Sequence, residues 1–240
     1  MMNFCWETVQ KRMKKDTKEV DIAQFFIEEY NESRGKISDK DRRNILLGSV
    51  LSAVTAGSDT TRAGLIGMMY YICKHPSTYG KIYSEVKDVD IFDMNVLAAL
   101  PHLGATIKEV LRIAPPAMTG GSRIVGPEGL WVDDIFIPDG VKVTAPKYSS
   151  HRLPSAFGSQ DEFIPERWTT RQELVLDQRA YAPFTVAITL LEMRFVTALL
   201  LKTFHISFAD DYRPEVFWEN MLDQVTMQPG YLFCTFKLRS

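Results

Sequence analysis

The chain has 240 residues, 28 Lys and Arg against 30 Asp and Glu, and a formal charge of -2. At 45% apolar and 24% charged it has the make-up of a folded globular chain, which excludes wholesale disorder and collagen-like repetition, and its near-even charge balance gives no general pull toward nucleic acid. Its three cysteines, Cys5, Cys73 and Cys234, lie far apart, form no CxxC pair or disulfide framework, and point to a reducing compartment.

The amino terminus lacks the apolar core of a secretory signal. It reads as the inside of a helix, with Phe4 and Met13 apolar and Arg12, Lys14 and Lys15 polar. A chain that opens in mid-helix without a cap is expected to have lost material upstream. From Asp21 to Tyr30, Ile22, Phe25, Phe26 and Tyr30 fall at helical spacing, and 31–37 should be a loop. Ser38 with Asp41 has capping-box spacing. A helix starting there can run to about Cys73, where Lys74, His75 and Pro76 end it; it would be roughly 50 Å long at ~1.5 Å per residue. Its middle, ILLGSVLSAVTAG, is apolar or small on all sides. That predicts burial through the centre of a domain, with local distortion near Gly57–Thr60. No run is a membrane helix: Asp59 and Arg62 interrupt one candidate, Glu192 and Arg194 the other.

Further along, Ser77–Val86 reads as a helix and Asn95–Ile113 as one or two more, stopped by Pro115 and Pro116. Arg123–Pro146 is rich in Val, Ile and turn glycines, and Pro138-Asp139-Gly140 predicts a hairpin turn between two short strands. Residues 147–185 are polar and irregular. Helical spacing returns from about Ile188 to Phe204, and the tail His205–Ser240 alternates and should pair as a hairpin. The order predicts an α+β fold, mostly helical, with small sheets and no repeats.

Two constellations carry chemistry. In Ala56-Gly57-Ser58-Asp59-Thr60-Thr61, a glycine, an acid and two hydroxyls interrupt an apolar helix. An opened helix of that kind makes a groove for water and a small molecule. In Glu109-Val110-Leu111-Arg112 an acid and a guanidinium share one helix face, and Pro165-Glu166-Arg167-Trp168 supplies a second arginine that could tie a loop to that acid. His75, His102, His151 and His205 are scattered without metal-ligand spacing, so no metal site is expected. Neither a phosphate-binding glycine loop nor a GxSxG nucleophile element is present.

Together these segments resemble the cytochrome P450 superfamily of haem-thiolate monooxygenases, in its fungal microsomal type. AGSDTT looks like the family's oxygen-activation motif, EVLR like its ExxR motif, and PERW like the segment whose arginine joins it. LPHLGATIKEVLRIAPP, IPDGVKV, YSSHR and DEFIPERW recur in the family's order. The resemblance covers the carboxy-terminal half of a typical member, so residues 1–240 would be a single partial domain whose amino-terminal half, with its membrane anchor, is absent. It implies a haem cofactor, an NADPH-dependent reductase and a small apolar substrate, as in fungal secondary or xenobiotic metabolism. Intact relatives would sit on the cytosolic face of the endoplasmic reticulum membrane, and this chain, without an anchor, in the cytoplasm. Asp59 and Thr60 would deliver protons, Ala56, Gly57 and Phe184 would line the cofactor, and Glu109, Arg112 and Arg167 would be structural.

The chain departs from the pattern where the family places its cysteine loop. Tyr181-Ala182-Pro183-Phe184 looks like the loop's start and Glu192-Met193-Arg194 like the helix beyond it. The seven residues Thr185–Leu191 between them hold no cysteine, histidine, methionine or tyrosine, and should instead extend the helix. The expectation is a catalytically inactive remnant or an incomplete gene product. The alternative is a non-enzymatic binding or interaction protein built on that remnant.

Overall fold

Capping and apolar spacing set the first helices. The computed structural model describes residues 2–15, 20–183, 188–224 and 226–239, and the chain divides into two compact units, Met1–Asp59 and Thr60–Ser240. In the first, α1 (Met2–Lys14) is followed by α2 (Ile22–Glu32), whose N-cap Asp21 accepts from the Gln24 N–H. α3 (Asp39–Lys74) begins at Ser38, whose hydroxyl accepts the Asp41 N–H at 3.1 Å and donates to the Asp41 carboxylate at 2.6 Å. Cys5 and Val9 of α1 pack with Leu46, Leu47 and Val50 of α3. Arg42 is buried over the Tyr30 ring, 4.3 Å from its centre, and donates to the Tyr30 carbonyl.

α3 is one helix of 36 residues and runs through Gly57 without a break. The helical assignment continues through Gly57–Thr60, and Ser58 Oγ bonds back to the Val54 carbonyl at 2.7 Å. The expected burial of its middle is corrected. Ser52 and residues 54–58 are exposed, Val54 by 40%. An apolar helix is buried only on faces that other elements cover, and here the covered stripe is that of Leu46, Leu47 and Val50.

In the second unit the end of α3 joins α4 (Pro76–Val86), α5 (Met94–Ala99) and α6 (Pro101–Ile113). The last two are separate because Pro101 opens α6 and holds Leu100 extended. The Glu85 carboxylate accepts the first N–H groups of α6, from His102 at 2.8 Å and Leu103 at 2.9 Å. Gly64 and Gly67 let α3 approach its neighbours closely: a Cβ at Gly64 would meet Met193 Sδ at 3.0 Å, and one at Gly67 would meet Val110 Cγ1 at 3.2 Å.

Four short strands follow, β1 (Ser122–Ile124), β2 (Leu130–Val132), β3 (Ile135–Ile137) and β4 (Lys142–Thr144). β2 pairs with β3 across Asp133-Asp134, and β1 pairs with β4. Pro138-Asp139-Gly140 is a turn, but β3 and β4 do not pair across it: they belong to different sheets. Gly140 N–H and Val141 N–H bond to Val125 O and Pro138 O, which turns the chain away toward β1. α7 (Lys147–Ser150) and three 3-10 turns, at Pro165–Trp168, Gln172–Leu174 and Gln178–Ala180, punctuate the long loop.

The chain ends with α8 (Ile188–Thr203), β5 (Phe204–Phe208), α9 (Val216–Glu219), β6 (Leu222–Gln224), β7 (Thr226–Gln228) and β8 (Cys234–Leu238). The tail is more than a hairpin. β8 pairs with the distant β5, from Phe204↔Leu238 to Phe208↔Cys234, and encloses the separate β6–β7 pair. The architecture is a mostly helical α+β fold with small antiparallel sheets. Among the described residues no helix is long and apolar enough to cross a membrane.

Candidate functional site

α6 buries one acid and one arginine on the same face, and the loop brings a second arginine to them. Glu109, Arg112 and Arg167 are each fully buried. Glu109 Oε1 accepts from Arg112 Nη2 at 2.9 Å, Arg167 Nε at 3.0 Å and the Ile164 N–H at 2.9 Å. Its Oε2 accepts from Arg112 Nε at 3.0 Å and Trp168 Nε1 at 2.9 Å.

Two guanidinium groups face one carboxylate, so the excess positive charge needs other partners. Backbone carbonyls supply them. Arg112 Nη1 donates to His151 O and Gln160 O, and its Nη2 to Glu162 O. Arg167 donates to Gly158 O, Leu174 O, Ser159 O and Glu162 O. Every N–H of both guanidinium groups is thereby used. Ser159 takes a left-handed conformation, φ 47°, to present its carbonyl, a conformation that costs about 1 kcal/mol outside glycine. Burial lowers the pKa of Arg167, and the Glu109 charge opposes that shift.

The same knot positions the chain that leaves the loop. His151 is fully buried. Its Nε2 accepts from the Ala182 N–H at 3.0 Å, so the proton sits on Nδ1 and is donated to Arg112 O at 3.1 Å. Burial pushes this histidine down to about 4. Tyr181 Oη donates to Lys108 O at 3.1 Å, and Lys147 Nζ to Pro183 O at 3.3 Å. Three consecutive residues, Tyr181 to Pro183, are therefore held from α6, α7 and the residue just after α7. Phe184 lies outside the described residues, as do Thr185, Val186 and Ala187.

The α3 residues are placed differently. Ala56 and Gly57 are exposed, and a Cβ at Gly57 would meet nothing within 4 Å. Asp59 and Thr60 are half-buried. The neighbouring Thr61 is buried, and its hydroxyl donates to Glu192 of α8 at 2.9 Å. The structure thus brings Glu109, Arg112 and Arg167 together, and leaves Ala56, Gly57, Asp59 and Thr60 as a run on one helix. Sequence reasoning missed His151 and Thr61. A histidine in an irregular stretch has no periodicity to mark it as buried, and Thr61 differs from Thr60 only by its turn around the helix.

A family model described as Cytochrome P450 matches residues 1–235. Tryprostatin B 6-hydroxylase of Aspergillus fumigatus is 31% identical over 222 residues, covering 87% of this chain and 39% of its own length. Cytochrome P450 monooxygenase sthD of Phaeosphaeria nodorum is 34% identical over 212 residues, covering 83% of this chain and 44% of its own. Cytochrome P450 monooxygenase nodW of Hypoxylon pulicicidum is 31% identical over 217 residues, covering 85% and 39%. The chain belongs to the cytochrome P450 family. It spans between 39% and 44% of the length of these three relatives.

Proposed function

We propose that residues 1–240 are part of one cytochrome P450 domain that binds no thiolate-ligated haem and does not itself carry out monooxygenation. The observation that carries this reading is the run Phe184–Leu191, Phe-Thr-Val-Ala-Ile-Thr-Leu-Leu, at the place where the family's cysteine loop belongs. The cysteines of the chain fit the role no better. Cys5 is fully buried among Val9, Leu46, Leu47 and Val50, and Cys73 and Cys234 face each other with sulfurs 4.0 Å apart. A thiolate ligand supplies the electron density that favours O–O cleavage in this family. The residues present do not fit that group.

The donors of the Glu109–Arg112–Arg167 knot are satisfied by the protein itself. These three residues keep a structural task, tying the loop from Gly158 to Trp168 to α6. On this reading Asp59 and Thr60 are vestiges of proton delivery, and Ala56, Gly57 and Phe184 vestiges of the cofactor pocket. Oxidation of a small apolar molecule, with O2 and electrons from an NADPH-dependent reductase, is the activity that the family resemblance implies for a whole member.

The test is to add haem to the purified chain, reduce it and expose it to carbon monoxide. A histidine-like band or no complex is expected, and a Soret band at the red-shifted thiolate position would overturn the proposal. Restoring a glycine-arginine-cysteine loop between Phe184 and Glu192, with the amino-terminal half of a close relative, should recover thiolate binding. A restored chain that folds without it would mean that the defect lies beyond the missing loop.

A further inference from the structure

We infer that Cys73 and Cys234 form a redox modification site that takes a low-molecular-weight disulfide as its reagent and closes into an internal Cys73–Cys234 bond. Cys73 stands in the last turn of α3 and Cys234 opens β8. Their sulfurs lie 4.0 Å apart as free thiols. A disulfide needs about 2 Å, so closure asks for an approach of roughly 2 Å between two sulfurs that already face each other. Both residues are half-buried, whereas Cys5 is fully buried.

The core around the pair holds the sulfurs face to face. Tyr70, one turn before Cys73, stacks on Phe217 with ring centres 4.1 Å apart and meets Phe208 at 5.9 Å. Phe208 is the register partner of Cys234 in the β5–β8 sheet. The two thiols therefore sit on elements packed against the same aromatic cluster, which raises the effective concentration of one at the other. The hydrogen bond between them favours a thiolate at Cys234 and, with burial, keeps the proton on Cys73.

The chemistry closes without another oxidant. The Cys234 thiolate attacks one sulfur of RS–SR, the S–S bond breaks, and RS⁻ leaves. Cys73 then gives its proton to solvent, and its thiolate attacks the Cys234 sulfur of the mixed disulfide and displaces the second RS⁻. Two protein thiols are oxidised, one reagent disulfide is reduced to two thiols, and both RS⁻ take up protons. The bond ties the end of α3 to a strand 161 positions later in the chain.

The test is to equilibrate the full chain in buffers of oxidised and reduced glutathione, with and without urea, and to map the cysteines by peptide mass after alkylation. In the native chain the expected product is a Cys73–Cys234 peptide two hydrogens lighter than its parts, with Cys5 unmodified. It should form at glutathione ratios at least about tenfold more reducing than in urea, the mark of a folded arrangement that raises effective concentration. In Cys73→Ser or Cys234→Ser chains the other cysteine of the pair should instead carry a single glutathione, with Cys5 still unmodified. Equal midpoints with and without urea would overturn the inference. So would a native wild-type chain that carries separate adducts at both cysteines without the cross-link.

Discussion

The knot around Glu109 and the middle of α3 both carry family resemblance, yet they are built on opposite terms. Glu109, Arg112 and Arg167 are fully buried, and their partners all come from residues 109–174. The Ala56–Ser58 stretch is exposed, and Gly57 has open space where a Cβ would stand. A buried charge cluster is tolerable only when each donor and acceptor is matched, so the knot must arrive complete. An exposed helical stretch has no such demand; water satisfies what the protein does not. Substitutions in the two regions should therefore differ in size and, at one position, in sign.

The largest effect is expected from Glu109→Ala. It leaves two buried guanidinium groups without their carboxylate and should cost about 3–5 kcal/mol, read from urea unfolding by circular dichroism. A loss no larger than that of an exposed residue would remove the contrast altogether.

Acid should produce the next effect. Burial holds His151 down to about 4 in the fold, whereas an unfolded histidine takes a proton near ~6.5. Between those values the unfolded chain binds the extra proton, so stability is full above about pH 6.5 and falls as pH drops toward about 4, by roughly 3 kcal/mol in all. The His151→Gln chain should lack this part of the pH dependence. Matching unfolding curves of the two chains across that window would show that the Ala182–His151–Arg112 relay is not held in the folded protein.

Trp168→Phe keeps the ring but removes the Nε1–H donated to Glu109 at 2.9 Å. Loss of one hydrogen bond to a buried carboxylate should cost about 1.5–3 kcal/mol, measured by the same unfolding assay. Gly57→Ala has the smallest expected effect, and the opposite sign. With no atom within 4 Å of the added methyl, helix propensity alone acts and the chain should gain about 0.5–1 kcal/mol. A destabilised Gly57→Ala chain would mean that the position is packed in solution, and would draw the two regions together.

Much of this was legible in residues that act on their near neighbours. Ser38 and Asp41 marked the start of α3, and Pro76 its end, because caps and ring sterics work within a few residues. The i, i+3 spacing of Glu109 and Arg112 put both on one face of α6, and PERW could be expected to bring the second arginine. The membership of β3 and β4 in different sheets was not legible, since Pro138-Asp139-Gly140 makes the same turn whichever strand lies alongside. Nor was the pairing of β8 with β5, where Cys234 meets Phe208 across a long separation. The sequence by itself determined the order of helices and small sheets and which residues stand between Phe184 and Glu192. Only the tertiary structure decided which carbonyls quench the two arginines, that His151 stays neutral beneath Ala182, that Cys73 faces Cys234, and which faces of α3 are covered. Local propensity depends on residues a few positions apart, whereas burial and polar pairing depend on segments that meet only when the chain has folded.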